Sequence, residues 1–230
     1  MPMNKTWKHL RHFPLGFAAG ISIGLGGLLS VSMNYLLPNI FGKILGSLLF
    51  GIGLFLVCTF PFSLYTGKVG LAIEKRCPKE DLLDLLIMLS ANFIGAASFG
   101  MMVYLFVKGT PLHEAFVNVA NGKLKPYIEN PSFDDYLLTF SNAFFCGLCV
   151  YLSVKCFQAD RLRAKGVLLM FFFVFLFVYA GFEHCVANMF YYGASLLWKA
   201  DVIINIALVV LGNSLGTIPG IYMWALKNSK

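Results

Sequence analysis

Charged side chains are scarce in this chain of 230 residues. Asp, Glu, Lys and Arg make up 13% of it, against about 25% in a typical soluble domain. Hydrophobic residues reach 58%, more than a soluble domain of this length can hide from water. The composition excludes a disordered chain and a soluble enzyme, and it indicates an integral membrane protein.

Motifs for metal binding and redox chemistry are also missing. Cys146 and Cys149 have the spacing of a redox or zinc motif, but no second pair of Cys or His accompanies them. All six cysteines lie in or beside apolar stretches, where they serve as small packing residues. We therefore expect no metal and no cofactor.

Long apolar runs take the place of charge. Each run is long enough for a membrane helix, which needs about 20 residues, and too long for the strand of a membrane barrel. The runs cover residues 13–42, 44–67, 85–107, 136–154, 166–198 and 202–226. An all-α integral membrane protein with six transmembrane helices follows, because backbone amides in lipid must bond within their own segment.

The basic residues are unevenly distributed between the predicted loops. With the N-terminus in the cytoplasm, 13 of the 18 Lys and Arg lie on the cytoplasmic side and 5 on the external side. This asymmetry predicts that both termini are cytoplasmic and that the chain crosses the cell (plasma) membrane several times. The net charge of +7 is thus a feature of membrane topology, and we expect the lipid bilayer, not nucleic acid, as its partner.

The six spans resemble two halves of three spans each. A shift of 121 residues places Asn92 and Gly95 on Asn213 and Gly216, and it superposes the hydropathy of spans one to three on that of spans four to six. Three spans per half require the halves to insert with opposite orientation. We predict one transmembrane channel domain over residues 1–230, with repeat one at about 13–107 and repeat two at about 136–226.

Two of the predicted spans are interrupted. Span two contains Pro61, which removes a backbone donor and clashes with the preceding turn, and span five contains Gly181 ahead of Glu183 and His184. Under the shift of 121, Ser63 falls on His184. Interrupted helices at equivalent places in inverted repeats mark the substrate path near the middle of the membrane.

Glu183 and His184 are the ionisable pair near the centre of span five. A charged side chain there costs at least about 2.5–3.5 kcal/mol if it faces lipid, which predicts a pore-lining role for His184. Two roles remain open for Glu183: it accepts backbone N–H bonds at the break, or it contacts the substrate.

Other candidate residues surround the breaks. Phe50, Leu54 and Phe177 lie within about two helical turns of them and are candidates for dry constrictions. Lys123 belongs to the longest predicted external loop, 108–135. It is either solvated or dips toward the pore, where a cation attracts anions.

The sequence at 181–190, Gly-Phe-Glu-His-Cys-Val-Ala-Asn-Met-Phe, closely resembles the central signature of the formate/nitrite transporter family. Further similarities follow in chain order, and together they extend over nearly the whole chain. They lie at residues 16–27, 63–67, 91–96, 146–152 and 205–213.

The resemblance implies an aquaporin-like fold, a homopentamer with one pore in each protomer, and passage of small monovalent anions or their weak acids, such as formate, nitrite and hydrosulfide. It implies His184 as the central pore residue, Thr66 and Asn213 as its polar neighbours, and Lys123 as a vestibule lysine. It also implies that Phe50, Leu54 and Phe177 form the constrictions.

Three departures from the family pattern bear on the substrate. Ser63 replaces an acidic residue, Lys68 replaces an Asn after Thr-Gly, and Gly147 replaces an Asn in the fourth span. Two of these changes lie near the break in span two. They leave the formate-type and hydrosulfide-type interpretations both open.

Two other classes compete with an anion channel. A water or glycerol channel of the aquaporin type carries paired Asn-Pro-Ala motifs, which this sequence lacks. A membrane enzyme needs several polar residues at one depth, and only Glu183 and His184 meet that condition. We therefore expect a channel and no enzymatic activity, with a neutral-solute channel as the alternative.

Overall fold

The computed structural model describes residues 9–75, 79–127 and 131–228, and within these ranges the chain is helical and has no strand. We number the α-helices α1 to α10; a short 3-10 turn, Lys125–Tyr127, follows α5. Their bounds are α1 His12–Leu36, α2 Ile40–Thr59, α3 Tyr65–Glu74, α4 Lys79–Val107, α5 Pro111–Leu124, α6 Phe133–Ala159, α7 Ala164–Ala180, α8 Cys185–Ser195, α9 Ala200–Leu215 and α10 Thr217–Asn228.

Six transmembrane spans are present, as predicted, if a bent pair of helices is counted as one span. Five segments are long and apolar enough to cross a membrane alone: α1, α2, most of α4, α6, and α9 continued into α10. The sixth span consists of α7 and α8, which meet at an angle of 55°. The chain is therefore a multi-pass membrane protein with an all-α fold.

The interruptions predicted in spans two and five are confirmed. Helix α2 ends at Thr59 and α3 begins at Tyr65, while α7 ends at Ala180 and α8 begins at Cys185. Gly181 follows α7 in the left-handed conformation, with φ of 78°, which a residue without a Cβ adopts at little cost. The second break interrupts a membrane span, and the first lies between the span-length helix α2 and the short helix α3. At both breaks the buried non-helical backbone must find other hydrogen-bond partners.

Asn92, in α4, satisfies the first break. Its Oδ1 accepts a hydrogen bond from the backbone N of Tyr65 at 2.8 Å. Its Nδ2 donates to the carbonyl of Ser63 at 2.9 Å and to that of Gly16 at 2.8 Å. A single buried amide thus joins three segments: the start of α3 at Tyr65, the break itself at Ser63, and helix α1 at Gly16.

Asn213, in α9, does the same for the second break. Its Oδ1 accepts from the backbone N of Cys185 at 3.0 Å, and its Nδ2 donates to the carbonyls of Glu183 and Ala143 at 2.8 Å each. Equivalent helices in the two halves therefore make equivalent hydrogen bonds, as an inverted repeat requires. The repeat predicted from the sequence is therefore visible in the fold.

The register of the repeat differs from the uniform shift of 121. The shared bonding pattern pairs Ser63 with Glu183, and hence Leu64 with His184, an offset of 120. Leu64 and His184 are also the N-cap residues of α3 and α8. The predicted match of Ser63 to His184 is therefore wrong, because the breaks are offset by 120 residues and Asn92 and Asn213 by 121, so no single gap-free shift fits both.

The glycine at 147 is explained by helix packing. A Cβ added to Gly147 in α6 would overlap the carbonyl oxygen of Asn213. The absence of a side chain lets α6 approach the backbone of α9 closely. An Asn at this place could not be accommodated without separating the two helices.

Candidate pore site

His184 lies at the break in span five, and its residue is only 3% exposed. The ring Nδ1 accepts a hydrogen bond from the backbone N of Ala187 at 3.2 Å, which caps the first turn of α8. In the neutral ring the proton then resides on Nε2. That Nε2 lies 3.0 Å from Oγ1 of Thr66, in the first turn of α3, so the two half-helices meet through these side chains.

An apolar layer covers His184. The ring of Phe177 stacks on the imidazole with centroids 5.9 Å apart, and Phe50 meets Phe177 edge-on at 5.7 Å. Phe50 and Leu54 are 2% exposed and Phe177 is 3% exposed. The structure thus places these three predicted constriction residues in its buried interior, with Phe50 and Phe177 beside His184.

A cavity of about 420 Å³ opens above this layer. Phe50, Phe177 and His184 lie among its lining residues, together with Lys123 and, farther out, Lys43. We call this cavity the Lys123 mouth. Its volume is sufficient for a small solute to reach the aromatic layer with part of its hydration shell.

Lys123 lies in the last turn of helix α5, so the segment predicted as a long loop is largely helical. Its Nζ donates to Oε1 of Glu183 at 2.9 Å, with the two side chains 16% and 11% exposed. This ion pair holds the lysine close to the break that carries His184. Lys123 therefore contacts Glu183, the residue directly before His184.

Side chains, rather than backbone N–H groups, bind Glu183. Its second oxygen accepts from Nδ2 of Asn188 at 2.6 Å. Asn188 also donates to Oδ1 of Asn205 at 3.0 Å, and the hydroxyl of Tyr192 donates to the same atom at 2.8 Å. The Oδ1 of Asn188 itself is buried and has no hydrogen-bond partner among the described residues.

Sequence reasoning missed this network of Asn188, Asn205 and Tyr192. The available signal was Asn205, a polar residue within the last apolar run, whose Nδ2 donates to the backbone carbonyl of Lys123 at 3.3 Å. Tyr127 lies beside it, 3.5 Å from the same Nδ2. Burial raises the pKa of Tyr127, so its hydroxyl stays protonated near neutral pH.

Asn213 was expected beside His184 as a polar neighbour. It bonds the backbone on either side of the histidine, at Glu183 and Cys185. No hydrogen bond joins its side chain to the imidazole in the part of the chain that the structure describes. The contact of Asn213 with the site is through the backbone that presents His184.

Two cavities lie at the opposite end of the pore, and we call them together the Lys68 mouth. The smaller, of about 70 Å³, is lined in part by Val57, Pro61, Leu64 and Lys68. The larger has a volume of about 280 Å³. Its lining residues are Arg11, His12, Lys68, Leu71, Ala72, Lys75, Asp84, Leu85 and Met88.

Ser63 and His12 meet at this mouth. Ser63 is 2% exposed, and its hydroxyl lies 3.2 Å from Nδ1 of His12. Asp84 lies within 3.6 Å of Nε2 of the same histidine and 2.7 Å from Nδ1 of His9. The sequence reasoning did not single out His9, His12 or Asp84, because they precede or follow the apolar runs that carried the argument.

Among the described residues 9–75, 79–127 and 131–228, no group of three or more His, Cys, Asp or Glu is placed so that it could hold a metal ion. Cys146 and Cys149 are buried and not bonded to each other. Their structure fits the packing role that their apolar surroundings predict.

The family model of the formate/nitrite transporters matches residues 3–225. The chain belongs to the formate/nitrite transporter family. It is 33% identical over 219 residues to the uncharacterized transporter YrhG of Bacillus subtilis (strain 168), covering 88% of this chain and 79% of that protein. It is 30% identical over 221 residues to the formate channel BtFdhC of Bacillus thuringiensis, covering 88% and 80%.

A solved structure shares the fold of this formate/nitrite transporter family member. It is described as a pentameric formate channel with formate bound, and it superposes with a TM-score of 0.77 at 22% identity over 97% of this chain and 98% of that chain. The family predicted from the signature at 181–190 is therefore confirmed, as is the all-α membrane fold.

Proposed function

We propose that this protein is a channel for small monovalent anions, formate or nitrite foremost and hydrosulfide as a further candidate, which cross as their weak acids. It lies in the plasma membrane with both termini cytoplasmic, so the Lys123 mouth faces outward. It forms a homopentamer with one pore in each protomer, residues 1–230 being one domain. Relatives named as formate channels and a pentameric structural neighbour support this assignment.

The first step is collection of the anion at the Lys123 mouth. The Lys123 ammonium adds positive potential to a cavity with apolar walls, where a field is less screened than in bulk water. Glu183 fixes the position of this ammonium. An anion that reaches the lysine is held at the entrance to the aromatic layer, which is the position from which it must lose its charge.

The second step is protonation. A bare charge moved into the layer of Phe50, Leu54 and Phe177 loses its hydration, at a cost of several kcal/mol. The neutral acid avoids most of this cost. Bringing an anion against an apolar layer raises the pKa of the conjugate acid, and protonation from solvent then allows passage.

His184 contributes a hydrogen bond at the barrier. With Nδ1 engaged by the backbone N of Ala187, the Nε2–H points to a partner that is the Thr66 hydroxyl in the resting structure. A substrate oxygen takes that place during passage. The buried His184–Thr66 contact, in a layer that is otherwise apolar, is the observation that carries the proposal.

Flux into proteoliposomes tests the proposal. Uptake of formate, nitrite, hydrosulfide, chloride and glycerol is measured across a pH series, with the wild type and His184→Ala. We expect formate and nitrite flux that rises as pH falls, and loss of most of it in the variant. Glycerol flux without anion flux would establish the neutral-solute alternative, and anion flux unchanged by His184→Ala would overturn the mechanism.

A further inference from the structure

Lys68 lies between the two cavities of the Lys68 mouth and lines both of them. It is the fourth residue of α3, one helical turn beyond Leu64, which caps that helix at the break. Its side chain is partly buried. An ammonium in this place is shared by the wide and the narrow cavity, and in the narrow one it lies among the apolar side chains Val57 and Leu64.

The narrow cavity restricts the size of what Lys68 can bind. Its volume of about 70 Å³ is a quarter of the 280 Å³ of the wide cavity. Val57, Leu64 and Phe157 give it apolar walls. This narrow space favours a triatomic anion such as formate or nitrite over a larger carboxylate such as lactate.

The wide cavity favours anions before they reach Lys68. Arg11 and Lys75 line it alongside Lys68, and Asp84 is the acid that lines it. Asp84 is in turn held by His9 at 2.7 Å and faces His12 at 3.6 Å. Three permanent cations therefore face one carboxylate that already has partners, and the potential attracts anions.

The inverted repeat shows how this mouth differs from the other. At the Lys123 mouth, Glu183 binds both Lys123 and Asn188. At the offset of 120 defined by the two breaks, Glu183 corresponds to Ser63 and Asn188 corresponds to Lys68. The carboxylate is thus replaced by a hydroxyl and the amide by a cation.

The environment of Lys68 follows from this exchange. Among the side chains that the structure describes, none forms a salt bridge or hydrogen bond with Lys68. Lys123 forms a salt bridge with Glu183, whereas the side chain of Lys68 lines two cavities. Lys43, the other cation at the Lys123 mouth, lies over the ring of Tyr179 at 4.4 Å, about two helical turns from Phe50.

We propose that Lys68 forms a second anion site, selective for monovalent anions of about three heavy atoms, directly below the barrier on the side opposite Lys123. The proposal rests on the proposed function and goes beyond it, because it assigns this mouth its own binding residue. Anions entering from the Lys68 mouth then half-saturate transport at lower concentration than they do in a channel without this lysine.

Transport in vesicles of defined orientation tests the proposal. Initial rates of formate and nitrite entry are measured against concentration from each mouth separately, for the wild type, Lys68→Asn and Lys68→Arg. Lys43→Gln is the matched control, since it removes a cation from the other mouth. Lactate at equal concentration serves as the larger competitor, which the narrow cavity disfavours.

We expect Lys68→Asn to raise the half-saturating formate concentration about five- to tenfold for entry from the Lys68 mouth, and Lys68→Arg to restore most of the wild-type value. Lys43→Gln leaves that value unchanged, and lactate competes only weakly there. Entry from the Lys123 mouth shows that the variant is folded. Wild-type flux with no mouth-specific effect of Lys68→Asn overturns the inference, whereas absence of wild-type anion flux overturns the proposed function itself.

Discussion

The imidazole of His184 and the hydroxyl of Thr66, 118 residues apart in the chain, lie 3.0 Å from each other in the buried interior. Each side chain stands at the start of a half-helix, one in each half of the inverted repeat. The hydrogen bond therefore joins the two halves at the barrier. A variant that lacks only the hydroxyl shows what this bond contributes to flux.

Replacing the Thr66 hydroxyl tests this contact. Thr66→Val keeps the shape of the side chain but removes the partner of Nε2. Because a hydrogen bond of this type contributes about 1 kcal/mol, we expect formate flux in proteoliposomes to fall about fivefold. Thr66→Ser, which keeps the hydroxyl, should retain nearly wild-type flux; a Thr66→Ser channel as impaired as Thr66→Val would show that the methyl group matters instead.

The equivalence of Asn92 and Asn213 predicts equal costs of removing them. Alanine at either site leaves one backbone N–H and two carbonyls unpaired in the interior. The free energy of unfolding in detergent should fall by about 2–4 kcal/mol in each variant. Asn118→Ala, on the exposed side of α5, is the control and should unfold like the wild type. A large loss in only one of the two variants would contradict the symmetry.

Any side chain at position 181 is predicted to lower the stability of the protein. The φ of 78° at Gly181 costs a residue with a Cβ about 1–2 kcal/mol, although no atom lies within 4 Å of the added Cβ. Thermal unfolding of Gly181→Ala should therefore occur at lower temperature. Gly122→Ala, in helix α5 and equally free of neighbours, should leave stability unchanged or raise it. Equal behaviour of both variants would exclude backbone conformation as the cause.

The Lys123–Glu183 pair should matter more than an exposed pair of similar geometry. Glu183→Gln leaves the Lys123 ammonium without a counter-charge at a site where both side chains are largely buried. We expect unfolding in detergent to become easier by about 2–3 kcal/mol. In the Lys155–Glu74 pair the carboxylate is 36% exposed, so Glu74→Gln should cost below about 1 kcal/mol. Similar losses in the two variants would mean that burial does not decide the value of the pair.

Much of the fold follows from patterns that are local in the sequence. Uncharged runs define the spans, because each residue in lipid is favoured or disfavoured mainly by its own side chain. Pro61 and Gly181 mark the breaks through their own backbone properties. His184 was predicted to line the pore because an ionisable group in such a run is costly if it faces lipid.

The contacts of the site could not be obtained in this way. The bond from Lys123 to Glu183 spans 60 residues, and the bond from Asn205 to Lys123 spans 82. Helix α5, which carries Lys123, has too many polar residues to stand out among apolar runs, so it was predicted as a loop. The pairing of Ser63 with Glu183 is defined by the hydrogen bonds of the two asparagines, which are long-range contacts.

The sequence by itself determined the membrane class, the six spans, the two breaks and the family, because each rests on the identity or order of neighbouring residues. Tertiary structure alone decided the register of the repeat, the partners of Glu183 and the position of Lys68 between two cavities. These depend on how helices of unequal length pack, and packing brings together residues whose separation in the chain carries no signal of their contact.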